Sequence, residues 1–157
     1  MKILTVCLGN ICRSPAAEAA LSEAFAAARL ADRVTIDSAG TGSWHLGSPP
    51  DSRMASAAAA VGLRLEGGAR RVTPADLDTF DLILAMDRSN ERELREMARS
   101  DEVREKIRLF RSFEEGADGP DTPDPYYGED DGFARVVEIV RAGADGVVAH
   151  VRAAFRP

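Results

Sequence analysis

The apolar positions of the chain fall into short strand-like runs separated by stretches with helical period. Residues 2–6 (KILTV) are apolar and rich in β-formers, which predicts a buried strand. Residues 15–29 are Ala-rich. Ala17, Leu21, Ala24, Phe25 and Ala28 share one stripe, with Ser14 as the expected N-cap and Pro15 as the first helical residue. Apolar and polar side chains alternate over 34–37, a second strand, and the Gly/Ser/Pro-rich stretch 38–50 (SAGTGSWHLGSPP) reads as a loop. A helix follows over 51–61, closed by Gly62. Residues 80–86 (FDLILAM) form a strong strand, 89–100 a charged helix and 107–110 a last short strand. A long acidic loop spans 114–131. A final helix, 132–154, is marked by Phe133, Val136, Val137, Val140, Val147, Val148 and Val151 and weakened in its middle by Gly143 and Gly146.

Strands alternating with helices predict an α/β fold with a mostly parallel sheet covered on both faces. Ligands of such folds bind beyond the carboxyl ends of the strands. The loop after the first strand, the 38–50 loop and the acidic loop all follow strands, so they are expected at one rim. A length of 157 residues suits one domain, 1–157.

The composition, 45% hydrophobic and 29% charged, is that of a globular protein, and no run approaches the ~20 apolar residues of a membrane span. Lys2 precedes too few apolar residues for a secretory leader, so the chain reads as cytoplasmic. With no run long enough for a membrane span, no membrane partner is expected, and a net charge of -6 argues against nucleic acid and would repel an anionic substrate at long range. An anion site must therefore work by local geometry. Two cysteines are too few for a disulfide scaffold, and His45 and His150 lie far from them in sequence, so no zinc set and no metal or other cofactor is expected.

Both cysteines fall in one turn, within TVCLGNICRSP (5–15). Backbone N–H groups in a turn of this kind can converge on an anion, and the helix that follows adds the positive end of its dipole. Arg13 supplies a planar fork for two phosphate oxygens. Gly9 eases the backbone, and Asn10 tolerates a left-handed conformation while its side chain pins the loop. The same field favours a thiolate at Cys7, which Ser14 can stabilise by a hydrogen bond. A buried cysteine is ordinarily a packing residue. Here the Gly-Asn pair, Arg13, Ser14 and the strand–helix context point to a nucleophile in a phosphate cradle, and hence to covalent phosphoryl transfer.

Cleaving a phosphoester also needs a proton donor for the leaving oxygen. The acidic loop 114–131 holds eight acidic residues and no basic one, and crowded carboxylates raise one another's pKa. Asp121 and Asp124 lie in its DTPDPYYG stretch, and Asp124 is stiffened between Pro123 and Pro125. Tyr126 and Tyr127 can wall an aromatic substrate. Trp44, the only tryptophan, sits in a loop at the expected rim. His45 has no assignable role. Asp87, just past a strand end, fits equally an N-cap or a partner of Arg13.

These segments resemble the low-molecular-weight protein tyrosine phosphatases: VCLGNICRSP, SAGTGSWHLGSPPD, FDLILAMDRSN and DPYYGEDDGF occur in that family's order and spacing, across nearly the whole chain. The resemblance implies a four-stranded parallel sheet flanked by helices, with the phosphate-binding loop between the first strand and first helix. It implies metal-free hydrolysis of phosphotyrosine in proteins through a phosphocysteine on Cys7. Arg13 and the amides of Leu8, Gly9, Asn10, Ile11, Cys12 and Arg13 would hold the phosphoryl oxygens. Asp124 would protonate the tyrosine oxygen and then activate water. Asn10 and Ser14 would organise the loop, and Trp44, Tyr126 and Tyr127 would line the cleft. Some members carry a histidine before the third strand that steadies the phosphate loop; the matching EGGARRV (66–72) has none, so support must come from elsewhere.

Arsenate reductases of this fold relay a disulfide through two further cysteines, and none follows Cys12. Protein arginine phosphatases carry threonine at the position of Ile11, whose branched apolar side chain favours a phenyl ring. A phosphate-dependent binding module would need neither the Cys7 nucleophile nor the acid at Asp124. Cys12 has two readings: a resolving thiol that spares Cys7 from over-oxidation, or a small packing residue behind the loop. The physiological substrate and the oligomeric state are not legible.

Overall fold

The first strand is buried on both faces, and the rest of the fold is arranged around it. In the computed structural model, which describes residues 1–156, β1 (Lys2–Cys7), β2 (Thr35–Gly40), β3 (Leu82–Ala85) and β4 (Ile107–Leu109) form one parallel sheet in the order β2-β1-β3-β4. Ile3 and Cys7 point to one face, with Leu82 and Leu84, against α1 (Arg13–Ala27) and α6 (Asp130–Ala154). Leu4 and Val6 point to the other, with Ile83 and Ala85. That face is covered by Leu77 of α3 (Pro74–Thr79), Leu94 of α4 (Arg88–Met97) and Val103 of α5 (Asp101–Glu105). The near-continuous apolar reading of 2–6 follows from this two-sided burial. The chain runs from β1 outward to β2 and then back across to β3, so the sheet has its switch point between β1 and β3.

Several boundaries differ from the expected ones, each for a physical reason. The second strand runs to Gly40, because Gly40 N–H donates to Arg70 O (2.8 Å) and Gly40 O accepts from Val72 N–H (2.8 Å); residues 38–40 are therefore strand, not loop. The first helix starts at Arg13 with Cys12 at its N-cap, so Ser14 is inside the helix and caps nothing. Its hydroxyl faces Cys7 instead. Helix α3, not expected, is stabilised by a capping box in which Thr73 and Asp76 bond each other's backbone N–H, with Pro74 at the first position. The charged helix expected over 89–100 ends at Met97, and a further helix, α5, follows, capped by Ser100, which accepts from Val103 N–H (3.2 Å). Between β2 and α3, α2 (Ser52–Ala59) begins at Asp51, which accepts from the N–H groups of Arg53 and Met54.

Helix α6 continues through Gly143 and Gly146. A Cβ at Gly143 would lie 2.3 Å from the Phe110 ring and one at Gly146 1.8 Å from Phe113 O, so these glycines are where the 3₁₀ turn Phe110–Phe113 presses onto the helix. Among the described residues no helix is long and apolar enough to cross a membrane.

Candidate active site

Cys7 ends β1, and the loop that follows wraps round its sulfur. The turn depends on Asn10, which sits at φ 56 in the left-handed region that asparagine tolerates better than most residues. Asn10 N–H donates to Cys7 Sγ (3.3 Å), and Ser14 Oγ lies 3.0 Å from the same sulfur. The N–H groups of Leu8, Gly9, Ile11, Cys12 and Arg13 meet no acceptor among the described residues, which leaves them free for an anion at the start of α1. Sγ is buried, with Cys7 2% exposed.

The side chain of Asn10 organises the loop from behind. Its Nδ2 donates to Ser14 Oγ (2.9 Å) and Ser38 Oγ (3.0 Å), and its Oδ1 accepts from Arg70 N–H (3.0 Å). Ser38 Oγ in turn donates to Glu18 Oε2 (2.8 Å). The support missing as a histidine is thus supplied by the backbone of Arg70, whose guanidinium bridges Asp37 (3.0 Å) and Asp76 (2.9 Å). Gly40 makes the close approach possible: a Cβ there would stand 2.6 Å from Leu8 O.

Arg13 is 3% exposed and held from two sides. Its Nη1 donates to Asp87 Oδ2 (2.6 Å) and Thr122 O (3.1 Å), and its Nη2 to Asp124 Oδ2 (3.5 Å). Burial opposes its charge, but Cys7, Asp87 and Asp124 outweigh that cost and raise its pKa above the ordinary arginine value. Asp87 does both of the things its position allowed. One oxygen aims Arg13, and the other caps α4 by accepting from Asn90 N–H (2.8 Å).

The cleft above the loop has a volume of ≈ 360 Å³; Cys7, Arg13 and Asp124 line it together with Trp44, Tyr126 and Tyr127. The three rim segments expected together therefore do meet. Trp44 is 75% and Tyr127 95% exposed, whereas Tyr126 is half-buried and packs edge-on to Tyr127 and against His45. His45, unassigned from sequence, is thus part of the wall; its adjacency to Trp44 was the one available signal. Arg53, also unanticipated, lies over the Tyr126 ring and donates to Tyr126 O (3.1 Å) while paired with Asp51.

The acidic loop is not a crowd of unpaired carboxylates. Asp121 is clamped by Arg88, through its N–H (2.9 Å) and guanidinium (3.1 Å), and this pairing holds its pKa below the usual carboxylate range. Asp118 is held low in the same way by Arg111 and Arg135. These two carboxylates are lowered, not raised, and Asp121 is a tether, not a proton donor. Asp124 points toward Arg13. Cys12 is buried, and that burial, together with Asp51, Cys7 and Asp124, pushes its thiol up to about 12. Both cysteines are free. A resolving role for Cys12 would require it to ionise against these surroundings. Among the described residues no group of three or more His, Cys, Asp or Glu side chains is placed to hold a metal.

Comparison with known proteins identifies the same architecture. Residues 2–156 match the profile of the low molecular weight phosphotyrosine protein phosphatases. The chain belongs to this family. It is 40% identical over 153 residues to the low molecular weight protein-tyrosine-phosphatase of Streptomyces coelicolor, covering 96% of this chain and 93% of that one. Among solved structures, a protein tyrosine phosphatase from Entamoeba histolytica superposes with a TM-score of 0.95 at 36% identity, covering 99% of both chains. YfkJ from Bacillus subtilis superposes with a TM-score of 0.92 at 37% identity, covering 99% of this chain and 97% of the other. Membership accounts for the four-stranded parallel sheet and the placement of Cys7 at the end of β1, where the loop to α1 begins.

Proposed function

We propose that this chain, as one phosphatase domain, hydrolyses phosphotyrosine in proteins without a metal, through a phosphocysteine on Cys7. The observation that carries the reading is the closed arrangement at one cleft: Ser14 Oγ 3.0 Å and Asn10 N–H 3.3 Å from the sulfur, and Arg13 reaching toward Asp124 at 3.5 Å. The phosphoryl group binds in the amides of residues 8–13 with two oxygens on the Arg13 fork. The Cys7 thiolate attacks phosphorus as the P–O bond to the ring breaks, and the electron pair leaves on the phenolic oxygen. The carboxyl proton of Asp124 passes to that oxygen. In the second step Asp124, now a carboxylate, takes a proton from water as the water oxygen attacks phosphorus. The sulfur departs as a thiolate, stabilised by the Ser14 hydroxyl. Trp44, Tyr126, Tyr127, Leu8 and Ile11 flank the substrate ring, and the depth of the cradle favours the long tyrosine arm over serine.

A free nucleophilic thiol belongs in a reducing compartment, which supports a cytoplasmic setting and tyrosine-phosphorylated proteins there as substrates. The test compares phosphotyrosine, phosphoserine and phosphoarginine peptides with the native chain, Cys7→Ser and Asp124→Ala. Turnover of phosphotyrosine alone, abolished in Cys7→Ser with phosphate still bound, is the expected result. Preference for phosphoarginine, or turnover that survives Cys7→Ser, refutes the reading.

A further inference from the structure

Asp124 sits on a segment that has no regular secondary structure of its own, yet it must present one carboxyl to one oxygen. The buried anchor of the segment that leads to it is Arg111. Its side chain is 4% exposed, in the turn that follows β4. Nε and Nη2 donate to Glu114 Oε2 (3.0 and 2.8 Å), Nη2 also to Asp118 Oδ1, and Nη1 to the backbone carbonyl of Asp121 (3.0 Å). One guanidinium therefore gathers three points of the 114–121 segment. Its own base is rigid, since Phe110 is fully buried and presses on Gly143 of α6, and Phe113 O abuts Gly146. From α6, Arg135 donates to the other oxygen of Asp118 (3.1 Å).

The tether continues toward the cleft without a gap. Asp121, held by its carbonyl from Arg111, is followed by Thr122, whose N–H donates to Met86 O (2.7 Å) and whose carbonyl accepts from Arg13. Pro123 and Pro125 leave Asp124 little torsional freedom. Asp124 is thus approached from upstream through the peptide at Asp121 and the Thr122 bonds to Met86 and Arg13, and from downstream its Oδ1 accepts from Tyr126 N–H (3.1 Å). Two arginines hold Asp121, but not equally. Arg88 is 64% exposed, and an exposed ion pair contributes little. Arg111 is buried and makes four bonds in fork geometry.

We propose that Arg111 is a positioning residue for proton transfer, acting through the Glu114–Asp121 segment on Asp124 without touching the substrate. The proposal rests on the role assigned to Asp124 above. A displacement of about 1 Å at an acid can lower its contribution by as much as about 100-fold. The signature is a loss that depends on the leaving group. Phosphotyrosine needs its oxygen protonated as the P–O bond breaks; 2,4-dinitrophenyl phosphate leaves as a stable anion and does not. The phosphate cradle is built from other residues, so phosphate affinity stays constant.

The experiment uses Arg111→Lys, which keeps the charge and loses the fork, beside the native chain, Asp124→Asn and Arg111→Lys/Asp124→Asn. Expected is a fall in kcat/KM for phosphotyrosine of about 10- to 100-fold in Arg111→Lys. With 2,4-dinitrophenyl phosphate the change should be under about twofold, as should that in inhibition by inorganic phosphate. In the Asp124→Asn background the lysine substitution should cost nothing further. Equal losses on both substrates, no loss, or an added loss in the double variant overturns the proposal. If Arg111→Lys does not fold, Arg111→Met/Glu114→Leu replaces the buried pair with apolar side chains and is read by the same ratios. Failure of native Asp124 to matter for phosphotyrosine would sink the Asp124 reading itself, separately from Arg111.

Discussion

Replacing Asn10 by aspartate exchanges one nitrogen for oxygen and reverses the direction of hydrogen bonding through the phosphate loop. Arg70 N–H faces Oδ1 at 3.0 Å, which fixes the orientation of the amide and turns Nδ2 toward the hydroxyls of Ser14 (2.9 Å) and Ser38 (3.0 Å). With Nδ2 donating, the Ser14 proton is free for Cys7 Sγ at 3.0 Å, and the competing carbonyl of Ala39 is farther, at 3.4 Å. In Asn10→Asp the new oxygen accepts at the same place. The Ser14 hydroxyl turns to it, and the sulfur, though still bonded by Asn10 N–H, loses its hydroxyl donor just where it must leave as an anion. A hydrogen bond to a charged partner contributes about 1.5–3 kcal/mol, which corresponds to about 10- to 150-fold in rate. The assay is kcat on an aryl phosphate for Asn10→Asp, Ser14→Ala and the double variant. Each single substitution should lose that factor, and the double should lose little more, because both remove the same bond. Asn10→Gly is the control. It accepts φ 56 and leaves Ser14 free to donate, so it should retain more activity than aspartate. An aspartate variant with native kcat, or single losses that multiply in the double, refutes this account of the loop.

Other expectations rest on single contacts. Asp87→Asn keeps an acceptor for Asn90 N–H, whereas Asp87→Ala does not. The alanine variant should be less stable than the asparagine one by about 1 kcal/mol, or about 2–4 °C in Tm, and equal Tm values would remove the cap from the argument. Because burial raises the Glu18 pKa, the folded state takes up a proton there more readily than the unfolded chain. Its stabilising contribution is complete below the ordinary glutamate range and is lost as pH rises through the folded value. Glu18→Gln should therefore gain stability relative to the native chain between pH 4 and pH 7, measured by denaturant unfolding; a constant difference contradicts it. With its thiol pushed up to about 12, Cys12 has a thiolate fraction of about 10⁻⁵ at pH 7. In Cys7→Ser, iodoacetamide should leave Cys12 unmodified until the protein is denatured, as read by intact mass.

What was legible in the sequence was what the chain keeps close together. The Cys7–Arg13 loop occupies one turn between a strand and a helix, so its residue types and their spacing already specify a cradle. Asp124 was legible because two prolines and two tyrosines mark its place. The rest of the site is made by contacts across the sheet. Asp87 meets Arg13 across 74 residues, and Arg70 meets Asn10 across 60. No local pattern encodes either pairing. Asp87 could be suspected only because it follows β3, the strand beside β1 at the switch point. The acidic loop misled for the same reason: its carboxylates are close in sequence, but their partners Arg88, Arg111 and Arg135 arrive from α4, the turn after β4, and α6. Ser14 was misread as a cap because local rules assign a serine before proline to the backbone, and the sulfur of Cys7 competed for its hydroxyl.

The anion site of this acidic chain is consistent with that pairing. A net charge of -6 repels phosphate at a distance, but long-range fields are screened within about 10 Å at ordinary salt, and the carboxylates near the cleft are largely occupied. Asp121 is bound to Arg88, Asp118 to Arg111 and Arg135, and Asp51 to Arg53. What remains to meet a dianion is Arg13, the unpaired amides of the loop and the start of α1. Asp87 approaches Arg13 through Nη1, while Asp124 approaches through Nη2, the arm that the incoming phosphoryl oxygens must share. The half-exposed Asp124 carboxyl therefore faces the one arm of an almost wholly buried arginine that is not already bound to Asp87 and Thr122.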